Sequence, residues 1–222
     1  IDDKVSQLVR NQYEENPYPR WINTGLSDKP KTTRQLLQSV NPHLNFDVQQ
    51  FSNKPDILVA GCGTGQHALS TASRILNCNV LAIDLSLASL SYAKRKTQEL
   101  GIENIEYIQG DILKLDQLDR EFDIIECAGV LHHMDDPLAG WKILVGKLRA
   151  GGVMKIGLYS QIARKHIVEA RREIAKKGYT SSPDDIRRYR KELINKDLNT
   201  DSKTSKLIGS EDFYSLSDCR DL

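Results

Sequence analysis

Five short apolar runs punctuate the middle of the chain: Asp56–Ala60, Asn79–Asp84, Ile105–Gln109, Phe122–Ala128 and Val153–Leu158. Each has strand length and is bounded by Gly, Asn or Asp. Between them, residues 66–76, 86–100 and 137–149 carry apolar positions at helical spacing. Strand and helix in strict alternation predict an α/β fold: a Rossmann-like, doubly wound, mostly parallel sheet with helices on both faces. Right-handed crossovers then restrict the topology. No internal repeat of about 20 to 50 residues is present.

The flanks read differently. Residues 1–53 are polar and broken by Asn-Pro and Lys-Pro. Val5–Tyr13, apolar at positions 5, 8, 9 and 13, predicts a short amphipathic helix, and Thr33–Val40 another. Downstream, Ile162–Lys177 and Asp185–Lys196 predict charged helices around the turn Ser181-Ser-Pro-Asp184. A polar loop spans 199–205, and Cys219–Leu222 sits inside a continuing helical pattern. The expected organisation is an N-terminal helical arm or lid (1–53), a Rossmann-like domain (54–159) and a C-terminal helical substrate or cap region (160–222). A doubly wound domain is expected to add further strands where that last region stands. The chain also starts at Ile1 rather than Met. It is therefore expected to be a piece of a longer polypeptide, with the last strands of the sheet outside it.

Composition narrows the class. With 222 residues the chain can bury a sizeable core. Its 31 basic and 30 acidic residues nearly cancel, so it is not globally built to coat nucleic acid or an acidic membrane. The balance is uneven, however. Residues 151–222 hold 15 basic and 11 acidic residues, and the remainder holds 16 and 19. The basic excess between Arg164 and Lys196 reads as a solvated helical face or as a docking surface for an anionic group. No run reaches the roughly 18 apolar residues of a membrane span. Four scattered cysteines (Cys62, Cys78, Cys127, Cys219) suggest neither zinc knuckle nor disulfide framework, and a reducing cytoplasm is the simplest location.

The chemistry concentrates after the strands. In Ile57-Leu-Val-Ala-Gly61-Cys62-Gly63-Thr-Gly65-Gln-His67 a buried strand runs into glycines that open a helix. Glycine lets a backbone turn sharply and lets a ligand approach closely. Asp84, about 20 residues on, is placed to accept both hydroxyls of a ribose. The spacing G-x-G-x-G differs from the dinucleotide fingerprint, because position 66 is Gln, which favours a nucleoside cofactor without a pyrophosphate. After the third strand, Asp111 can accept from an adenine amino group, and the Ile112 amide can serve a ring nitrogen.

These residues together resemble a class I S-adenosylmethionine-dependent methyltransferase over positions 56–158. Gly61–Gly65 is similar to the family's first motif, Asp84 to the acid after its second strand, and Gly110-Asp111 to its adenine motif. Cys127-Ala-Gly-Val-Leu-His132-His133-Met-Asp-Asp-Pro137 resembles the segment beside the transferable methyl, and Ala150-Gly-Gly152 the turn before the fifth strand. The resemblance implies S-adenosylmethionine as cofactor, S-adenosylhomocysteine as product, and no metal. It implies cofactor contacts from Gly61, Cys62, Gly63, Gly65, Asp84, Leu85, Asp111, Ile112 and Cys127. The family often carries an acid two residues before the first glycine. Here that residue is Val59, so the acid's interactions are absent or supplied elsewhere. Asn16-Pro-Tyr18-Pro-Arg20-Trp21 resembles a segment of bacterial methyltransferases often joined to tetratricopeptide repeats, which raises a repeat domain outside this chain as a partner. Two prolines make that segment a rigid turn. It presents Tyr18, Arg20 and Trp21 as a lid over the cofactor, with Arg20 expected to contact it, or it simply anchors the arm.

His132, His133 and Tyr18 are the catalytic candidates. One histidine orients or deprotonates the nucleophile, or both shape the pocket. Adjacent histidines on a short loop rarely converge on one ion, so no metal site is expected from His132, His133 and Asp135. The expected acceptor is a small molecule. A nucleic-acid or protein methyltransferase is the alternative, supported by the basic stretch. A non-catalytic cofactor-binding protein and a nicotinamide oxidoreductase rank lower. For the last, Tyr92-x-x-x-Lys96 matches a dehydrogenase pair in type but follows the second strand too closely.

Overall fold

The computed structural model describes residues 2–40, 52–160, 162–197 and 208. The polar loop expected at 199–205, the helical pattern at 219–222 and Cys219 lie outside the described residues. The chain divides into two compact units, Ile1–Leu158 and Tyr159–Leu222.

The first unit is a five-stranded sheet in the order β3-β2-β1-β4-β5. Its strands are β1 (Asp56–Ala60), β2 (Asn79–Asp84), β3 (Ile105–Gln109), β4 (Phe122–Ala128) and β5 (Leu148–Gly157), all parallel. Helices α3 (Gln66–Arg74), α4 (Leu87–Glu99) and α5 (Pro137–Val145) connect them, and α1 (Lys4–Glu15) and α2 (Thr33–Val40) precede the sheet. Both sheet faces are covered. Ile57, Val59, Val80 and Ile124 pack under Ala68 and Ala72 of α3, while Leu58, Leu81, Phe122 and Ile125 pack with Leu131 and Leu144 on the other side. Strands buried on both faces need continuous apolar runs, which is what made them readable. This is the expected Rossmann-like, doubly wound architecture.

Helix starts follow local chemistry. Asp3, Ser86 and Asp136 cap α1, α4 and α5 by accepting from Ser6, Ser89 and Leu138 amides. The end of α5 departs from the expected 149. The helix stops at Val145, and the Lys147 carbonyl already accepts from Phe122 N at 2.9 Å. β5 therefore begins at Leu148, and the Gly151-Gly152 pair lies within it instead of before it. Phe122 pairs with Leu148 but Ile124 with Val153, so the intervening residues bulge, turned by Gly151 at φ +79°.

Two buried carboxylates tie β4 to its neighbours. Near its start, Asp123 accepts from Asp56 N at 2.8 Å and from Arg149 at 2.7 Å, and Arg149 also reaches Asp56 at 2.9 Å. Near its end, Glu126 accepts from the Thr71 hydroxyl and from Arg74 at 2.9 Å, and His67 Nε2 lies 3.0 Å away.

The second unit pairs α6 (Lys165–Lys177) with α7 (Pro183–Asp197) through Ile167, Ala170, Tyr189 and Leu193. Lys177 clamps them, 2.9 Å from Glu173 and 2.7 Å from Glu192. No helix among the described residues is long and apolar enough to cross a membrane.

Burial pushes the Glu126 carboxyl up, but His67, Thr71 and Arg74 outweigh it and bring its pKa to about 2, below an ordinary 4.5. A depressed carboxylate stabilises the fold fully above about pH 4.5 and loses that contribution as pH falls toward 2. Urea titrations at pH 6 and pH 3 should show Glu126→Gln less stable at pH 6. The gap to the wild type should narrow at pH 3, by about 2 kcal/mol. A gap independent of pH would contradict the depressed carboxylate.

Candidate functional site

Parallel strands in this order bring the loops after β1, β2, β3 and β4 to one edge of the sheet. The glycine loop wraps the end of β2: the Gly61 and Cys62 amides both donate to the Ile83 carbonyl at 2.9 Å. Gly63 N then donates to Asp84 Oδ2 at 2.7 Å, and Ser86 N to Asp84 Oδ1 at 3.0 Å. Burial raises the Asp84 carboxyl above its ordinary value, and the Ser86 and Gly63 amides counter it. Gly65 carries a left-handed φ of +87° and lies against Ala93 of α4. Gly61, Cys62, Gly63, Gly65 and Asp84 thus form one hydrogen-bonded turn.

The neighbouring strand extends it. Gly110 N donates to the Asp84 carbonyl at 3.0 Å, which sets the next two residues beside that turn. Asp111 is buried. Its Oδ1 accepts from Leu113 N at 3.0 Å, while its Oδ2 is buried with no hydrogen-bond partner. Ile112 is buried in the core beneath, and the Leu85 carbonyl accepts from Gln109 at 2.9 Å. Cys127 ends the buried part of β4. Burial pushes its thiol up to about 12 and raises that of Cys62 well above its ordinary value, so neither is poised as a nucleophile.

After β4, His132 and His133 share a short 3-10 turn, Leu131–His133, with ring centroids 4.2 Å apart. Tyr13 of α1 meets His133 edge-on, its hydroxyl 3.4 Å from Nε2. The arm is seated on the same edge. Glu14 accepts from the Leu87 and Ala88 amides at 2.6 and 3.0 Å, charging the N-terminus of α4, and Ser86 Oγ donates to the Tyr13 carbonyl.

The Asn-Pro-Tyr-Pro-Arg-Trp segment then crosses the glycine loop. Thr64 N donates to the Tyr18 carbonyl at 3.0 Å, and the Thr64 hydroxyl to the Pro19 carbonyl at 2.6 Å. A Cβ on Gly63 would collide with that same Tyr18 oxygen, and φ there is +52°, so glycine is required twice over. Trp21 is buried, donates to Thr64 Oγ1 at 3.0 Å and packs edge-on against Tyr92, whose hydroxyl donates to the Trp21 carbonyl. Tyr92 and Lys96 are thereby accounted for: the first holds the arm, and the second pairs with Glu99 at 2.8 Å. Trp21 is the anchor, Tyr18 contributes its backbone, and Arg20 is exposed.

Tyr13, Glu14 and Thr64 join the site too: they sit within the 12–21 segment and the glycine loop, where sequence reasoning assigned them no role of their own. Ser86, read only as part of a helix start, turns out to bind the arm. Among the described residues no three His, Cys, Asp or Glu side chains cluster as a metal site.

Residues 57–152 match the methyltransferase domain family. An uncharacterised protein from Synechococcus is 38% identical over 179 residues, covering 79% of this chain and 42% of that protein. A ubiquinone biosynthesis O-methyltransferase from Acinetobacter baumannii is 32% identical over 97 residues, 43% of this chain and 40% of the enzyme. The chain thus spans less than half the length of these relatives. The structure of PKMT2 from Rickettsia typhi in complex with AdoHcy shares the fold, with a TM-score of 0.62 and 18% identity over 88% of this chain and 39% of that one. The glycine turn and its two strand-end acids lie inside this matched span, and residues 57–152 form a methyltransferase domain.

Proposed function

We propose that the chain transfers a methyl group from S-adenosylmethionine to a small-molecule acceptor by in-line displacement. The observation that carries this reading is the pair of acids at the carboxyl edge. A carboxylate offers about four lone-pair positions, and the Gly63 and Ser86 amides occupy only part of Asp84's, leaving acceptors suited to ribose hydroxyls. The buried, partnerless Asp111 Oδ2 suits an adenine amino group, since an orphaned buried acceptor is costly until a donor arrives. The residues present therefore fit an adenosyl group. When bound, S-adenosylmethionine supplies an electrophilic methyl on a sulfonium.

The chain's own part is to hold and to screen. Gly61–Gly65 and Asp84 would hold the nucleoside's sugar side, and Asp111 with the Ile112 amide its base. The arm segment 13–21 covers the glycine loop and limits water. His132 and His133 stand where a proton leaving an oxygen or nitrogen acceptor is received, and Tyr13 orients the second of them. Much of the barrier in such a displacement is removed by positioning alone. A small acceptor is favoured over nucleic acid because residues 1–150 carry 19 acidic against 16 basic side chains, a poor surface for gathering a polyanion.

Three outcomes are expected. Calorimetry with S-adenosylhomocysteine should give micromolar binding, and Asp84→Ala should weaken it by roughly 10- to 150-fold through loss of charge-assisted hydrogen bonds. Unchanged affinity in folded Asp84→Ala would remove the ribose role. Trp21→Ala should release the arm from Thr64 and speed dissociation of S-adenosylhomocysteine in stopped-flow traces, whereas an unaltered off-rate would make the arm a packing device only. Finally, an acceptor can be found by screening phenols, amines and thiols for adenosylhomocysteine release. One of His132→Ala and His133→Ala should then lose about 10²–10⁴-fold in kcat while keeping cofactor affinity; normal turnover in both would leave catalysis to positioning.

A further inference from the structure

Glu126 is buried at 4% exposure on a strand where every other inward residue is apolar or, like Asp123, spent on joining strands. Nothing in the methyl transfer uses it. A carboxylate in such a place is expensive unless it is surrounded by donors. Its partners all belong to one helix: Thr71 and Arg74 donate to it from the middle and end of α3, and His67 Nε2, in the first turn, stands 3.0 Å from it without a hydrogen bond. Lys155 of β5 stands further off, 4.0 Å from Oε1. The carboxylate therefore grips α3 along its length, and α3 is the helix that the glycine loop opens. His67 lies two residues beyond Gly65, so the grip acts within one turn of the loop that Asp84 and the arm hold from its other sides.

The register adds a second observation. Val59 pairs with Glu126 across β1 and β4, so the two side chains stand side by side on the α3 face of the sheet. Val59 is the residue two positions before Gly61. A carboxylate at either member of this pair faces the same helix.

We propose that Glu126 is the positioning residue of the glycine loop, holding α3 through Thr71 and Arg74, with His67 beside it, from the strand next to β1, on the sheet face that a carboxylate at position 59 would share. The strand carries its own control. Asp123, three residues earlier, is as buried and as firmly paired, but its partners Asp56 and Arg149 lie at the opposite end of the sheet from the loop. A carboxylate that merely stabilises the sheet would be equivalent at either end; one that sets the loop matters for binding only at position 126.

The test rests on the reading that the loop holds the adenosyl group, and uses S-adenosylhomocysteine as the probe with the whole chain. Calorimetry is run on the wild type, Glu126→Gln, Glu126→Val, His67→Ala, Arg149→Ala and the exchange Val59→Glu with Glu126→Val, each with its melting temperature. Glu126→Val and His67→Ala should each weaken binding by about tenfold, the lower end of what loss of a supporting partner costs a binding site. Arg149→Ala should lower the melting temperature at unchanged affinity, and the exchange should recover at least half of the lost binding energy. If Glu126→Val does not fold, Glu126→Gln, which keeps the shape and drops the charge, decides with an expected intermediate loss. Wild-type affinity in Glu126→Gln and His67→Ala, equal weakening in Arg149→Ala, or an exchange no better than Glu126→Val would each overturn the proposal. Failure of the wild type itself to bind would overturn the reading of the loop instead.

Discussion

The Gly63 amide donates to the Asp84 carboxylate across 2.7 Å, and the rest of the site is arranged around that bond. It joins the loop leaving β1 to the end of β2, two strands that are neighbours only because the chain crosses over through α3. The bond needs a residue with positive φ and no side chain at position 63, and a carboxylate at the last residue of β2. Once it forms, the Ile83 carbonyl is in reach of the Gly61 and Cys62 amides, and the Asp84 carbonyl is left for Gly110. Three strand ends are thereby locked at one edge before any ligand arrives, which is the preorganisation a binding site needs.

The arm uses what this lock leaves free. The loop's outward amide and hydroxyl, both from Thr64, are taken by the Tyr18 and Pro19 carbonyls. The exposed N-terminus of α4 receives the Glu14 carboxylate, where the helix's own amides lack partners. Trp21 closes the seam by burying its ring against Tyr92 while its indole N–H stays bonded to Thr64. The arm is thus complementary to the loop's geometry, and it carries Tyr13 to His133 as a consequence of the same docking.

Much of this was legible in the sequence. Strands β1, β2 and β4 are continuous apolar runs because both faces are covered, and the glycines with Asp84 and Asp111 mark strand ends by type and spacing. The start of β5 was hidden because Gly151 and Gly152 look like a turn before a strand, when they form a bulge inside one. The arm's docking was hidden for another reason: Tyr13, Tyr18 and Pro19 act through backbone carbonyls, which no side-chain pattern encodes. Glu126 was hidden because its donors lie more than 50 residues away in sequence. Tyr92 and Lys96 show the converse, a spacing that matches a catalytic pair while the side chains serve packing and a helix ion pair.

Hydrogen–deuterium exchange with and without S-adenosylhomocysteine reads the glycine loop, both strand-end acids and the arm in one experiment. Slowed exchange is expected in peptides spanning 12–21, 61–67, 84–89 and 110–113, all at one ligand concentration, as a single preorganised site requires. Protection confined to other segments, or none at saturating ligand, would contradict it.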